Sequence, residues 1–316
     1  IQWQSATAGH GSSVPRSGVG AALPLDINGD GYDDLVWSAS GTWRISLGSA
    51  SGLGAAINTG IAVYTGPQAL PLDWNGDGRM DLLVPWSDNK WRVLVGGAGG
   101  FAAPVAAGHG GIPNNTANGG WQVADFNGDG RDDLLRLNAV GVLTIYARLN
   151  SASGFGAETA VLTNTLLASA AFNATPAGST PIAKPDFNGD GRTDIAFYAC
   201  EYDGESQTCM GWGWYYATAS GNYYALQTNL PDSGYAYQPN FADFNADGLT
   251  DMVYPGQSWG QWCVGFGQGG GGLSVACGAS TAGQLLFHTV VADYDGDGYD
   301  DLYVSGSGGS ATWKVV

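Results

Sequence analysis

The chain has 316 residues and a formal net charge of −17, from 28 acidic and 11 basic side chains. So few lysines and arginines exclude a nucleic-acid backbone as an expected partner, and no run of about 18 apolar residues is present to span a membrane. With 52 glycines, 12% aromatic and 12% charged residues, and few stretches of helical period, the composition is that of an all-β protein.

Residues 1–11, IQWQSATAGHG, are similar to residues 101–110, FAAPVAAGHG. The start at Ile1, without a basic or apolar leader, points to a mature or excised piece. From Ala21 the chain falls into units of one pattern: a short apolar strand, an acidic loop, a second apolar strand, a third strand and an outer strand. The first unit reads AALPLD, DINGDGYDD, DLVWS and TWRISLG, with its outer strand after Gly54. The second repeats it as QALPLD, DLLVPW, KWRVLVG and FAAPVAA. The third has WQVAD, DLLRL and VLTIYARL, with its outer strand within 155–168. The fourth has PIAKPD, DIAFYAC and MGWGWYYAT, the fifth PNFAD, DMVYP and QWCVGFG, and the sixth TVVAD, DLYVS and ATWKVV.

The acidic loop is Asp-x-(Asn/Asp)-x-Asp-Gly-x-x-Asp, and its six copies start at residues 26, 73, 125, 186, 243 and 293. Periods of this size mean a repeat architecture. Side-chain oxygens at positions 1, 3, 5 and 9, with the carbonyl of position 7, can converge on one point when the glycine at position 6 supplies a left-handed turn. An all-oxygen cage suits Ca²⁺ better than Mg²⁺, and lacks the His or Cys that zinc and copper prefer. The expected ligand sets are Asp26, Asn28, Asp30, Tyr32 and Asp34; Asp73, Asn75, Asp77, Arg79 and Asp81; Asp125, Asn127, Asp129, Arg131 and Asp133. They continue with Asp186, Asn188, Asp190, Arg192 and Asp194; Asp243, Asn245, Asp247, Leu249 and Asp251; Asp293, Asp295, Asp297, Tyr299 and Asp301. Ordinary Asp/Asn/Gly turns would account for one such copy. Six copies that all keep Asp at positions 1, 5 and 9 favour about six calcium ions, one per unit. The fifth loop departs from the others by Ala246 at position 4. An EF-hand is excluded, because position 12 is never Glu and a strand, not a helix, follows each loop.

The motif, its period and the apolar strand behind it resemble the FG-GAP/VCBS repeats of integrin-α-type β-propellers. Similar repeats occur in lectins, secreted bacterial surface proteins and Rhs- or Tc-type toxin shells. The resemblance covers essentially the whole chain and implies a calcium-binding propeller. It says little about function, since that superfamily includes adhesins, lectins, lyases and scaffolds. The expected fold is all-β: one six-bladed β-propeller over residues 1–316 with four-stranded blades. The last unit stops at Val316 without an outer strand, so residues 1–10 are expected to supply it and close the ring. A seven-bladed ring would need a blade without the motif, and 173–185 is too short to hold one.

Trp43, Trp91, Trp214, Trp262 and Trp313, with Leu143, occupy matching places in third strands. Because the position repeats, blade packing is preferred over sugar stacking. Features that do not repeat are better ligand candidates: Trp212, Tyr215 and Tyr216 beside the acidic tip of the fourth unit, and Trp259 in the fifth. Tyr223, Tyr224, Tyr235 and Tyr237 crowd the connection between these units. Such loops suit a carbohydrate or a protein interface. Cys200 with Cys209, and Cys263 with Cys277, form two local pairs for which disulfides are preferred and free thiols are the alternative. His10 and His109 occupy matching AGHG positions, and no nucleophile, phosphate-loop or zinc signature is present. The expected function is an extracellular, non-catalytic binding or scaffold module for a glycan or protein, monomeric or embedded in a longer chain. A lectin proper or a polysaccharide lyase on the same fold is the alternative.

Overall fold

The computed structural model describes residues 22–65, 68–108, 111–114, 120–138, 142–172, 184–202, 209–229, 239–255, 262–278, 289–292, 301–305 and 313–315. The described residues contain no helix, and their strands form antiparallel meanders. In the first sheet, β1 (Leu23–Leu25), β2 (Asp34–Ala39), β3 (Thr42–Ser46) and β4 (Ile57–Ala62) pair in chain order. The second holds β5 (Leu70–Leu72), β6 (Asp81–Pro85), β7 (Trp91–Leu94) and β8 (Val105–Ala106), and the third β9 (Trp121–Ala124), β10 (Asp133–Asn138), β11 (Leu143–Arg148) and β12 (Glu158–Asn164). The fourth holds β13 (Leu167–Phe172), β14 (Ile195–Tyr202), β15 (Cys209–Ser220) and β16 (Tyr223–Asn229). The fifth holds β17 (Asn240–Ala242), β18 (Asp251–Pro255), β19 (Trp262–Gly267) and β20 (Leu273–Cys277). A further sheet has three described strands, β21 (Thr289–Ala292), β22 (Asp301–Ser305) and β23 (Trp313–Val315).

Position within the sheet dictates each strand's sequence. The first strand of each sheet lies at an edge, so Pro24 and Pro71 cost no ladder bond there. Second strands are covered on both faces, and β6 is buried at all five positions, which is why DLLVP is a continuous apolar run rather than an alternating one. Outer strands face solvent: β4 carries Asn58, Thr59 and Gly60, and β20 is largely exposed.

The core lies between successive sheets, not inside any one of them. Val36 and Ile45 of the first sheet pack with Leu82, Val84 and Leu94 of the second. Leu83, Trp91 and Val93 of the second pack with Val123 and Leu134 of the third. Leu135 and Ile145 of the third meet Phe197 and Tyr215 of the fourth, whose Ala196 and Tyr216 meet Met252, Tyr254 and Cys263 of the fifth. The second, third and fourth sheets are thus each covered by the one before and the one after. Trp43 (8% exposed), Trp91 (0%) and Leu143 (0%) all lie in these seams. The side chains of Trp214, Trp262 and Trp313 lie outside the described residues.

One strand differs from the sequence expectation. The first strand of the fourth sheet is expected at PIAKPD; Pro185 of that segment accepts the Asp194 amide at 2.6 Å, and Leu167–Phe172 takes the edge farther along β14, pairing Leu167 with Glu201 and Phe172 with Phe197. The reason is length: β14 and β15 extend well beyond their counterparts, and the edge partner must reach their far end. Residues 181–183 of the expected strand lie outside the described residues.

Candidate functional site

The five described acidic loops share one geometry, built from short-range hydrogen bonds. In the first, Asp26 at position 1 curls the chain about its own carboxylate. Oδ1 accepts the amides of Gly29 and Asp30 at 2.7 and 3.2 Å, and Oδ2 accepts Gly31 at 2.9 Å. Asn28 Oδ1 accepts the Asp30 amide at 2.8 Å, its Nδ2 donates to Asp30 Oδ2 at 3.0 Å, and Asp30 Oδ1 accepts the Tyr32 amide at 2.9 Å. The bond from position 6 to position 1 recurs from Gly78, Gly130, Gly191 and Gly248 at 2.8–2.9 Å. Such a curl requires left-handed backbone at positions 4 and 6, where Gly29 and Gly31 have φ of 75° and 82°. Ala246 fills position 4 of the fifth loop at φ 54°, a strained value for a residue with a Cβ.

Position 9 sits behind the loop. Asp34, Asp81, Asp133, Asp194 and Asp251 are at most 1% exposed. Each carboxylate joins the position-2 amide to the end of the third strand. Asp34 accepts Ile27 at 3.0 Å and Gly48 at 2.7 Å; Asp194 accepts Phe187 and Ala219, both at 2.8 Å. The third-strand partners in the other sheets are Gly96, Asn150 and Gly267. The sequence reading missed these partners, because their distance from position 9 varies from 14 to 25 residues and leaves no fixed spacing to find. Burial pushes the position-9 carboxyls up, against the pull of these amides, and the carboxylates at positions 1 and 5 add to the rise. Asp81 reaches about 6, and Asp133 and Asp194 about 7.

The structure therefore brings positions 1, 3 and 5 together at the loop surface and sets position 9 beneath them. Among the described residues no three acidic, histidine or cysteine side chains gather at a single point. Position 3 is an amide in the five described loops, and position 9 spends one lone pair of each oxygen on the backbone. The donor chemistry nonetheless fits a hard divalent cation. It is oxygen throughout, and each carboxylate retains lone pairs beyond its amide bonds. Three carboxylates per loop press on one another electrostatically, a strain that a cation would relieve. The sixth set, Asp293 to Asp301, lies outside the described residues except for the backbone of Asp301, which begins β22.

The candidate ligand aromatics divide. Tyr215 (7% exposed) packs in the seam before the fourth sheet with its ring stacked on Phe197 at 6.0 Å. Tyr216 (4%) meets Phe187 edge-on, and its hydroxyl accepts the Leu273 amide at 3.1 Å. Both are interior residues rather than open platforms. Tyr224 is also buried and its hydroxyl donates to the Thr193 carbonyl at 3.0 Å, whereas its neighbour Tyr223 is 56% exposed. Periodicity could have separated these, since alternate residues of a strand face opposite sides. The side chain of Trp212, and Trp259, Tyr235 and Tyr237 as a whole, lie outside the described residues.

Cys263 and Cys277 face each other across β19 and β20 and form a disulfide, with Cα atoms 4.0 Å apart. Cys200 is disulfide-bonded too, and no described cysteine is free.

A family model for the FG-GAP-like repeat matches residues 26–84, 73–136 and 148–254. No curated protein matches the chain in sequence. Among solved structures, the chain is similar to an Agrocybe aegerita lectin described for its specific recognition of non-reducing terminal N-acetylglucosamine. Identity is 18% and the TM-score 0.61, over 95% of this chain and 80% of the lectin. It is also similar to part of the Photorhabdus luminescens Tc holotoxin pore, at 17% identity and a TM-score of 0.53, over 94% of this chain but only 14% of the toxin chain. At such identities the likeness speaks to the fold alone, and four-stranded meanders stacked face to face are the blades of a β-propeller. The repeat model spans more than half of the sequence, and the chain belongs to the FG-GAP-like repeat family.

Proposed function

We propose that the chain is a six-bladed, calcium-stabilised β-propeller that serves outside the cytoplasm as a non-catalytic binding module for a glycan or protein. The observation that carries the calcium reading is the shared loop geometry: five repeats curl positions 1, 3 and 5 around the same bend. Positions 1, 3, 5 and 9 and the carbonyl of position 7 would hold the ion. Calcium would supply the positive charge that three adjacent carboxylates lack. The Cys263–Cys277 bond supports an oxidising location.

Six blades require closure, and two turns of near-identical sequence support it. Ser151-Ala152-Ser153-Gly154-Phe155-Gly156 in the third blade matches Ser49-Ala50-Ser51-Gly52-Leu53-Gly54 in the first. In the third blade, Phe155 is 3% exposed because the end of the second blade docks there: its amide donates to Ala107 at 2.9 Å, and Gly108 bridges to it. Leu53 holds the same place and is 47% exposed. Ala8-Gly9 is the sequence equivalent of Ala107-Gly108, so residues 1–10 would dock on Leu53 after completing the sixth blade.

The ligand surface is proposed on the fourth and fifth blades, whose non-repeated aromatics include Trp212, exposed Tyr223 and Trp259. The lectin's ligand supplies the first probe. A glycan array that includes terminal N-acetylglucosamine is screened with the folded chain in calcium and again in EDTA, with thermal melts in both. Calcium-dependent binding to a defined sugar is the expected result. No sugar binding by folded protein would favour a protein partner, as for one domain of a larger assembly. Each ion at about a hundred times its Kd adds about 2.7 kcal/mol, so identical melts in calcium and EDTA would reject the calcium reading.

A further inference from the structure

Between successive blades, the loops are tied by a bond that the motif does not announce. The amide at position 8 of one loop donates to the carbonyl at position 1 of the loop before it: Met80 to Asp26, Asp132 to Asp73, Thr193 to Asp125 and Thr250 to Asp186, at 2.8–2.9 Å. In three of these pairs the position-8 side chain returns the bond by accepting the amide of the same position-1 residue. Asp132 Oδ2 accepts Asp73 at 2.6 Å, Thr193 Oγ1 accepts Asp125 at 3.0 Å, and Thr250 Oγ1 accepts Asp186 at 2.9 Å. Asp132 is a buried carboxylate, and Lys184 of the next blade donates to it at 2.6 Å. Met80 has no acceptor to offer, so Asp26 is held by its carbonyl alone.

Position 7 covers the same neighbour. A Cβ at Gly29 would lie 3.1 Å from Cγ of Arg79; at Gly76, 3.1 Å from Arg131; and at Gly128, 3.2 Å from Arg192. The position-4 glycine of one loop is therefore closely approached by the following repeat, in addition to holding its own left-handed backbone.

We infer that position 8 of each repeat is a positioning residue for the calcium loop of the preceding repeat, so that Thr193 sets the third loop and Thr250 the fourth. The inference rests on the calcium reading above. Position 1 starts each loop, and its carboxylate organises three loop amides. Gripping both backbone groups of that residue fixes where the carboxylate points before any ion arrives, and preorganised ligands bind more tightly. The dependence runs one way around the ring: a loop's affinity is set by its successor. The first loop, anchored by Met80, is the weak member among those described.

The test is calcium titration of the full chain by calorimetry, with folding of each variant checked by circular dichroism at saturating calcium. Thr250→Val removes one hydrogen bond and should weaken one site roughly three- to tenfold, while Thr250→Ser should restore it. The affected site is located by double-mutant cycles. With the fourth loop disabled by Asp190→Ala, Thr250→Val should change nothing further. With the fifth loop disabled by Asp247→Ala, its effect should persist. Met80→Thr, which adds the missing acceptor, should tighten one site, and this gain also decides the matter if a valine variant does not fold. A Thr250→Val loss that survives Asp190→Ala, or a Met80→Thr protein that binds as wild type, would overturn the positioning role while leaving calcium binding intact. Folded wild-type chain that takes up no calcium would overturn both.

Discussion

Two kinds of carboxylate meet in this protein, and their surroundings separate their roles. The position-9 aspartates are buried among backbone amides and pushed up by burial, so ionising them in ion-free protein works against the fold. Glu158 is the opposite case. It sits on β12 between Arg136, which donates through both Nε and Nη2, and Arg148, whose Nη2 donates at 3.1 Å. Arg136 also lies over the Tyr146 ring at 4.3 Å. Burial raises the Glu158 carboxyl, but the two arginines outweigh it and hold it below its ordinary 4.5. A depressed acid stabilises the fold fully above the unfolded value and loses that contribution as pH falls through the lower, folded value. Glu158→Gln should therefore cost about 1 kcal/mol at neutral pH, at the upper end for partly exposed pairs. In urea titrations the gap to wild type should stay constant from pH 7 to 5 and narrow below about 4.5. A gap unchanged at pH 3.5 would contradict this account.

At the scale of the strand, the fifth blade shows what an exposed edge needs. β20 is an outer strand with most of its residues facing solvent, and its disulfide to β19 closes a segment of 14 residues. Replacing Cys263 and Cys277 together by alanine should destabilise the protein by about 2–3 kcal/mol, seen as a melting temperature several degrees lower. An unchanged melt would mean that strand pairing alone holds this edge. Third strands carry the opposite lesson. Trp91 is wholly buried in a seam, and a repeated aromatic position is what a stack of equivalent interfaces produces. The fourth blade departs from the pattern: its two central strands are the longest among the described residues, and the far end of β14 takes a partner from upstream of the expected segment.

For the whole molecule, the proposed closure would decide stability. Each described seam buries the faces of two sheets, so a ring left open would expose one face on either side of the gap. Deleting residues 1–10 should lower the melting temperature by several degrees or drive the chain to pair with a second copy, read by light scattering after gel filtration. A deletion variant that remains monomeric and equally stable would reject closure by this segment.

What the sequence determined by itself was the repeat, its loops and its strand order. Oxygen donors at fixed spacing, glycine at position 6 and the apolar run after position 9 are all local, and local chemistry shows in a window of about ten residues. Even the burial of Trp43 and Trp91 follows from their recurrence. The tertiary structure alone decided which carboxylates are clamps, because the partners of position 9 lie 14 to 25 residues away at no set interval. It alone placed Tyr215 and Tyr216 in the interior, since opposite faces of β15 meet different neighbouring blades. The ties from position 8 to the preceding loop span some fifty to seventy residues. Such contacts exist only once the blades stand side by side, and nothing in either segment marks the other as its partner.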